Sequence, residues 1–329
     1  MSEKIATREA YGAALAEFGA KYENLVVLDA DLAAATKTGT FKKAFPDRFF
    51  DCGIAEGNMM GVAAGLASTG LIPFASSFAM FAAGRAFEQI RNSIGYPHLN
   101  VKIGATHAGI SVGEDGATHQ CNEDIALMRT IPGMTIINPC DAVEARAAVE
   151  AAILHNGPVY LRFGRFAVPV LNDKETYKFE PGKGVTLRDG EDLTIVASGL
   201  TVSIALEAAE LLQKDGISAR VLNIHTIKPL DTEIIARAAR ETGAILTVEE
   251  HSIIGGLGDA VCEAVCESCP VPVLRFGMMD EFGRSGSAAK RADVAAVLCE
   301  LQSGVVIAET LFTAFLGILL HPTAKGRCF

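Results

Sequence analysis

The segment from Gly104 to Gln120 contains the densest group of side chains that could do chemistry. It reads GATHAGISVGEDGATHQ, so His107, Asp115 and His119 lie on a short stretch with four glycines, in a chain with only seven histidines. Glycine permits tight turns and close backbone approach, and functional groups concentrate on loops held by a rigid scaffold. The pattern favours a binding or catalytic loop over its alternative, a solvent-exposed turn at Asp115-Gly116.

A second candidate is Glu56, which lies in the segment GIAEGN (53–58) ahead of a stretch of small residues that predicts a helix. One interpretation is an acid at a helix terminus, stabilised by the helix dipole. The other is a desolvated carboxyl that hydrogen-bonds a heterocycle nitrogen. The segment alone leaves both open.

Three aromatic residues, Phe74, Phe78 and Phe81, follow within PFASSFAMF (73–81). Aromatic residues at helical spacing usually belong to a core. The alternative is a wall on which a ligand stacks, because the surrounding Ala and Ser residues leave room for a flat molecule beside the rings.

The elements that must position these residues alternate along the chain. Predicted strands at 24–28, 71–75, 100–105, 134–138 and 158–163 are separated by predicted helices, and a similar unit covers 193–249. This alternation predicts two consecutive α/β domains, each a mostly parallel sheet covered by helices. Ligands bind beyond the carboxyl ends of such strands, where Asp31, the 104–120 loop and Arg165 fall.

The predicted domain boundaries follow from composition. We expect one domain at 1–172, a polar linker at 173–187, a second domain at 188–300 and an atypical apolar tail at 301–329. Gln302 and Glu309 interrupt the apolar stretch of that tail, so a membrane span is not expected. A frame change or a fused tail is a hypothesis for residues 287–329.

Charge and the N-terminal residues exclude several classes of protein. Lys plus Arg total 29 against 39 Asp plus Glu, a net charge of −10. Without a basic patch, nucleic acid is not an expected partner. No basic segment followed by an apolar one precedes the first domain, so we expect no signal peptide and a cytoplasmic location.

Three segments taken together resemble transketolase: GIAEGNM (53–59), SFAMFAAG (77–84) and HAGISVGEDGATHQ (107–120). The resemblance covers residues 5–285 and concerns the pyrimidine-binding and C-terminal domains of that family. Pyruvate dehydrogenase β-subunits share the Gly-Ile-Ala-Glu element but lack the loop. Deoxyxylulose phosphate synthases have a related Asp-Gly-x-Thr-His loop with a different lead-in.

The resemblance implies thiamine diphosphate as cofactor. Glu56 would hydrogen-bond its aminopyrimidine ring and promote the imino tautomer, and Phe78 and Phe81 would form the aromatic wall beside that ring. Asp31 matches an acid near the cofactor. A third aromatic of the family falls on Ala75, so Phe74 supplies part of the wall or that part is missing.

The resemblance also implies residues that bind a sugar phosphate. Arg8 matches a phosphate-binding arginine, and His107 and Arg165 match residues that grip the sugar phosphate. Asp115 would bind a substrate hydroxyl, and His119 would assist near the transferred ketol group. The family's phosphate-binding serine falls on Ala35, with Thr36 adjacent, which leaves this part of phosphate recognition open.

The family holds the cofactor diphosphate through Mg²⁺ and a Gly-Asp-Gly motif followed by Asn, and this sequence has no such pair. Magnesium requires hard oxygen ligands. We therefore expect no metal ligand here and Mg²⁺ ligands on a separate N-terminal, diphosphate-binding transketolase subunit. A dimer or a heterotetramer is expected.

The predicted function is that of the C-terminal subunit of a split transketolase, which transfers a two-carbon ketol unit between sugar phosphates. Two alternatives use related chemistry: a 2-oxo acid dehydrogenase β-subunit and a deoxyxylulose phosphate synthase-like fragment. A third is a non-catalytic binding subunit with this fold.

Overall fold

The structure is a computed structural model that describes residues 3–287. The predicted tail at 301–329, together with residues 288–300 of the predicted second domain, lies outside the described residues. Within them, strands and helices alternate along most of the chain. No helix between residues 3 and 287 has the length and apolar character needed to cross a membrane.

The strands and helices have the following bounds. The strands are β1 (Lys4–Ala6), β2 (Leu25–Asp29), β3 (Phe49–Asp51), β4 (Ile72–Phe78), β5 (Lys102–Thr106), β6 (Thr135–Ile137), β7 (Val159–Arg162), β8 (Ala167–Pro169), β9 (Val185–Arg188), β10 (Leu193–Ala197), β11 (Ala219–Asn223), β12 (Thr226–Lys228), β13 (Ile245–Ser252) and β14 (Val273–Met278). The helices are α1 (Thr7–Lys21), α2 (Ala33–Thr36), α3 (Gly39–Ala44), α4 (Glu56–Ser68), α5 (Phe87–Gln89), α6 (Asp124–Arg129), α7 (Ala142–Leu154), α8 (Thr201–Lys214), α9 (Thr232–Thr242) and α10 (Leu257–Ser268). Two π-helices, Met80–Arg85 and Ile90–Gly95, flank α5.

The first sheet of the described chain has seven strands in the order β12-β6-β7-β5-β4-β2-β3. All neighbours pair in parallel except β12 and β6. Every residue of β2, β4 and β5 is buried, because helices cover both faces of a parallel sheet. Their carboxyl ends meet at one edge, which gathers the residues that follow them.

The second sheet has the order β14-β13-β10-β11-β9, with only β9 antiparallel among the strands described. The prediction of two mostly parallel α/β units is therefore confirmed.

One local interpretation was wrong and one strand was missed. The helical interpretation of the spacing of Phe74 and Phe78 does not hold, because both residues belong to β4. The sequence also gave no indication that β12, from the second unit, would add a strand to the first sheet. Thr226 of β12 pairs with Ile137 of β6. A strand of three residues is too short to show a recognisable periodicity.

Candidate active site

Glu56 is the first residue of α4 and is 1% exposed. The positive end of a helix favours a carboxylate at this position. Arg85 donates from Nη1 to Glu56 Oε2 over 2.7 Å, and its guanidinium lies 4.6 Å above the Phe81 ring. Arg85 was missed by sequence reasoning, although its spacing of four from Phe81 is the signal that places them on one face of a helical turn.

Phe78 and Phe81 form a stacked pair, with ring centroids 5.7 Å apart and planes 13° from parallel. Phe78 ends β4 and Phe81 lies in the π-helix that follows. Phe74 instead packs in the core, 6.4 Å from the Tyr11 ring. The structure therefore brings Phe78 and Phe81 together and leaves Phe74 out of the wall.

His107 directly follows β5 and stacks on Phe78, with ring centroids 3.8 Å apart. Its Nε2 lies 3.0 Å from Arg8 Nη1 and its Nδ1 lies 3.0 Å from Thr106 Oγ1. Because a guanidinium only donates, Nε2 accepts, and Nδ1 carries the hydrogen and donates to Thr106. Burial, with Arg8 and Arg165 nearby, lowers the pKa of His107 to about 3. The imidazole is therefore neutral at physiological pH.

Three cations act electrostatically on this neutral imidazole: Arg8, which contacts it, and Arg165 and Lys37. Arg8 Nη1 also donates to the Ala35 carbonyl over 2.9 Å, and burial lowers the pKa of Arg8. Arg165 Nη1 donates to the Val112 carbonyl and pairs with Glu114 at 3.2 Å. Guanidinium groups suit phosphate. The sequence indicated the two arginines but not Lys37.

His119 lies beside the aromatic pair, with its ring edge-on to Phe81 at 5.3 Å between centroids. Its Nδ1 lies 2.9 Å from Thr118 Oγ1. Asp115 begins the short turn before it and is exposed. The 104–120 loop therefore places His107 against Phe78 and His119 against Phe81, and it leaves Asp115 exposed to solvent.

The two acids at the carboxyl end of β2 are one buried residue, Asp29, and one exposed residue, Asp31. Asp31 is exposed, and its amide donates to Asp51 Oδ1 over 3.2 Å. Asp29 is fully buried and accepts from the hydroxyls of Thr36 and Thr38 at 2.7 and 2.8 Å. Burial raises the pKa of Asp29. The hydroxyl of Thr36, the neighbour of Ala35, is thus hydrogen-bonded to Asp29 inside the protein.

The residues present fit a flat aminopyrimidine ring. A buried carboxyl, Glu56, lies next to a guanidinium that covers Phe81, and the Phe78–Phe81 pair offers a stacking surface. For a metal the outcome differs: within residues 3–287 no group of three or more His, Cys, Asp or Glu side chains could hold one. The expectation that a partner supplies the Mg²⁺ ligands stays a prediction.

Comparison with known proteins assigns the chain to a family. Residues 3–170 match the pyrimidine-binding domain of transketolase, and residues 182–297 match the transketolase C-terminal domain. The chain belongs to the transketolase family. Its resemblance to that family is thereby confirmed, while the domain boundaries drawn from composition stay a prediction.

Individual relatives show which part of a transketolase this chain resembles. It is 54% identical to a protein of Methanocaldococcus jannaschii named as a transketolase C-terminal section, over 85% of this chain and 89% of that one. It is 40% identical to the transketolase of Homo sapiens, over 88% of this chain but only 46% of the human protein. A solved structure described as a split-gene transketolase, inactive β4 tetramer, matches with TM-score 0.82 and 54% identity, over 91% of this chain and 99% of that chain.

Proposed function

We propose that this chain is the C-terminal subunit of a two-subunit transketolase that uses thiamine diphosphate to transfer a two-carbon ketol unit between sugar phosphates. The observation that carries the proposal is one edge of the first sheet. There Glu56 is a buried carboxyl paired with Arg85, which lies over the Phe81 ring. The Phe78–Phe81 pair extends from Phe81 to His107, whose neutral ring contacts Arg8. One part suits an aminopyrimidine ring and the other an anionic sugar.

On the cofactor side, Glu56 would hydrogen-bond a ring nitrogen of the aminopyrimidine. The Phe78–Phe81 pair would stack with the ring and exclude water, which strengthens that hydrogen bond in a low-dielectric site. Asp31 would lie near the cofactor. Thiamine diphosphate, when bound, supplies the nucleophilic carbon that accepts and passes on the ketol unit, and its Mg²⁺ and diphosphate would bind to the N-terminal subunit.

On the substrate side, Arg8 and Arg165 would bind the sugar phosphate through charge-assisted hydrogen bonds. His107 would orient Arg8 through its neutral Nε2. Asp115 at the rim would accept a hydrogen bond from a sugar hydroxyl, and His119 would exchange a proton with the transferred ketol group. The division into subunits is supported by the relatives that match this chain over most of their own length.

The proposal is tested by co-expressing the chain with the N-terminal subunit and assaying transfer from xylulose 5-phosphate to ribose 5-phosphate, with thiamine diphosphate and Mg²⁺. We expect the pair to be active and Glu56→Gln to abolish turnover, while Glu88→Gln, an exposed glutamate on α5, leaves it unchanged. Products from pyruvate instead of the ketose would indicate a 2-oxo acid enzyme. Turnover by this chain alone would contradict the division into subunits.

A further inference from the structure

The 104–120 loop is not held by the first domain alone. Glu250, in β13 of the second sheet, is 8% exposed and accepts from the Ser111 amide at Oε1 over 2.6 Å. Ser111 lies in the turn between His107 and Asp115. A carboxylate of the second domain thus bonds the loop midway between two candidate substrate-binding residues.

Gly109 shows how closely Glu250 approaches the loop. Its φ is 78°, a backbone conformation that residues other than glycine rarely adopt. A Cβ atom at this position would lie 2.4 Å from Glu250 Cδ. The carboxyl group therefore packs directly against the loop backbone.

Glu250 is itself fixed from the first domain. Arg162, the last residue of β7, donates from Nη2 to the Glu250 carbonyl over 2.9 Å and from Nε to Asp124 Oδ2 over 2.9 Å. Both Arg162 and Asp124 are buried. A buried, paired cation holds a rigid geometry because breaking it leaves an uncompensated charge. The main chain at Glu250 is therefore held in place by the first domain, and its buried carboxylate bonds the Ser111 amide from there.

Two further contacts join the C-terminal half of the loop to Arg284 and Ser285, which follow β14 of the second sheet. Gln120 Nε2 donates to the Arg284 carbonyl over 3.0 Å and to the Ile110 carbonyl over 3.1 Å. Ser285 Oγ donates to the Glu114 carbonyl over 2.6 Å. A loop with several glycines has little conformational preference of its own, so its shape depends on such external contacts.

We propose that Glu250 is a positioning residue, whose carboxylate fixes the 104–120 loop so that His107 and His119 lie against the Phe78–Phe81 pair. The second domain thereby sets the affinity of the site for its sugar substrate, although Glu250 does not contact the sugar. This inference rests on the proposed function for its kinetic test. Displacement of binding groups by about 1 Å can reduce catalysis about 100-fold.

The experiment compares Glu250→Ala, Glu250→Gln and Glu249→Ala in the assembled two-subunit enzyme. Glu249 is a matched control, because it is a neighbouring buried glutamate that bonds the start of α10 through Leu257 and Gly258, and not the loop. We expect Glu250→Ala to raise the KM for xylulose 5-phosphate about tenfold or more and to leave the KM for thiamine diphosphate within about twofold. Glu250→Gln retains an acceptor for the Ser111 amide and should restore most of the affinity.

Amide hydrogen exchange of the 104–120 loop provides a readout that does not depend on activity. Glu250→Ala should speed exchange at Ser111, whereas Glu249→Ala should not. If Glu250→Ala does not assemble, Glu250→Asp serves in its place, since its shorter side chain cannot reach Ser111. Unchanged KM and unchanged exchange in these variants would overturn the inference. An inactive wild-type pair would instead contradict the proposed function, and the exchange measurement would still decide the role of Glu250.

Discussion

His107 follows β5 at the carboxyl edge of the first sheet, and Glu249, Glu250 and His251 lie near the carboxyl end of β13 in the second. Both edges therefore carry acids and histidines at the position where parallel sheets bind ligands. In the first, the 104–120 loop leaves Asp115 exposed and His119 half-buried beside an aromatic pair.

In the second, hydrogen bonds within the protein occupy the same kinds of group. Glu249 accepts from the amides of Leu257 and Gly258 at 2.7 and 2.8 Å. His251 donates from Nδ1 to the Ser252 carbonyl over 2.7 Å and accepts at Nε2 from Ala126 over 3.4 Å. Burial lowers its pKa to about 4. Polar groups therefore lie at the strand ends of both domains. What differs is whether the protein itself already fills their hydrogen bonds, as in the second domain, or leaves some of them for a ligand, as in the first.

The largest effect is expected at Arg162, which connects Asp124 of the first domain to the Glu250 carbonyl of β13. Arg162→Met removes the buried partner of Asp124 and should lower the free energy of unfolding by about 3–5 kcal/mol. Urea denaturation measures this. Arg146→Met, which removes an exposed pair with Glu17, should cost at most about 1 kcal/mol. Equal losses in the two variants would show that the buried Arg162–Asp124 pair contributes no more to stability than an exposed pair.

A pH effect on stability is expected from Glu249 at the second edge. Burial raises the pKa of Glu249 to about 7, from an ordinary value of 4.5. Between these pH values the folded protein binds a proton that the unfolded chain has lost, so the free energy of unfolding falls as pH rises, by up to about 3 kcal/mol. Glu249→Gln cannot titrate and should flatten this fall.

Urea denaturation between pH 4.5 and pH 8 measures the difference between wild type and Glu249→Gln. Glu207→Gln, an exposed glutamate of α8, should retain the wild-type slope. Parallel curves for wild type and Glu249→Gln would show that the Glu249 carboxyl is not desolvated.

The first edge should respond in activity. His107→Asn removes the ring stacked on Phe78 and the acceptor of Arg8, and should lower kcat/KM for the sugar phosphate about 10- to 100-fold. His98→Asn is a matched control, because His98 is exposed and shares a positive φ, 53° against 57°. With the pKa of His107 near 3, its ionisation should produce no inflection between pH 5 and pH 8. An inflection lost in His107→Asn would contradict this assignment.

The smallest effect is expected at Arg85. Arg85→Met removes a half-exposed guanidinium that pairs with the buried Glu56 carboxyl and lies over the Phe81 ring. We expect the KM for thiamine diphosphate to rise about 3- to 10-fold in the assembled enzyme, since such contacts contribute about 1 kcal/mol each. Arg91→Met, on the exposed face of the next π-helix, should have no effect. A loss as large as that of Glu56→Gln would instead make Arg85 part of the catalytic machinery.

Residue types and their spacing determined the α/β class and indicated most residues of the candidate site, but not Arg85 or Lys37. Period and polarity are local properties, so the strand before His107 and the helix that begins at Glu56 could be predicted from neighbouring residues alone. The resemblance added roles to Glu56, Phe78, Phe81 and His107, and it added the family.

Only the tertiary structure decided which of these groups have atoms left for a ligand. Burial and long-range hydrogen bonds commit Thr36 to Asp29, Phe74 to the core and Glu250 to the 104–120 loop. Ser111 and Glu250 are separated by 139 positions, and no local pattern encodes a contact at such a distance. A sequence specifies the polar groups at a strand end, but the packing of the two domains decides where their hydrogen bonds go.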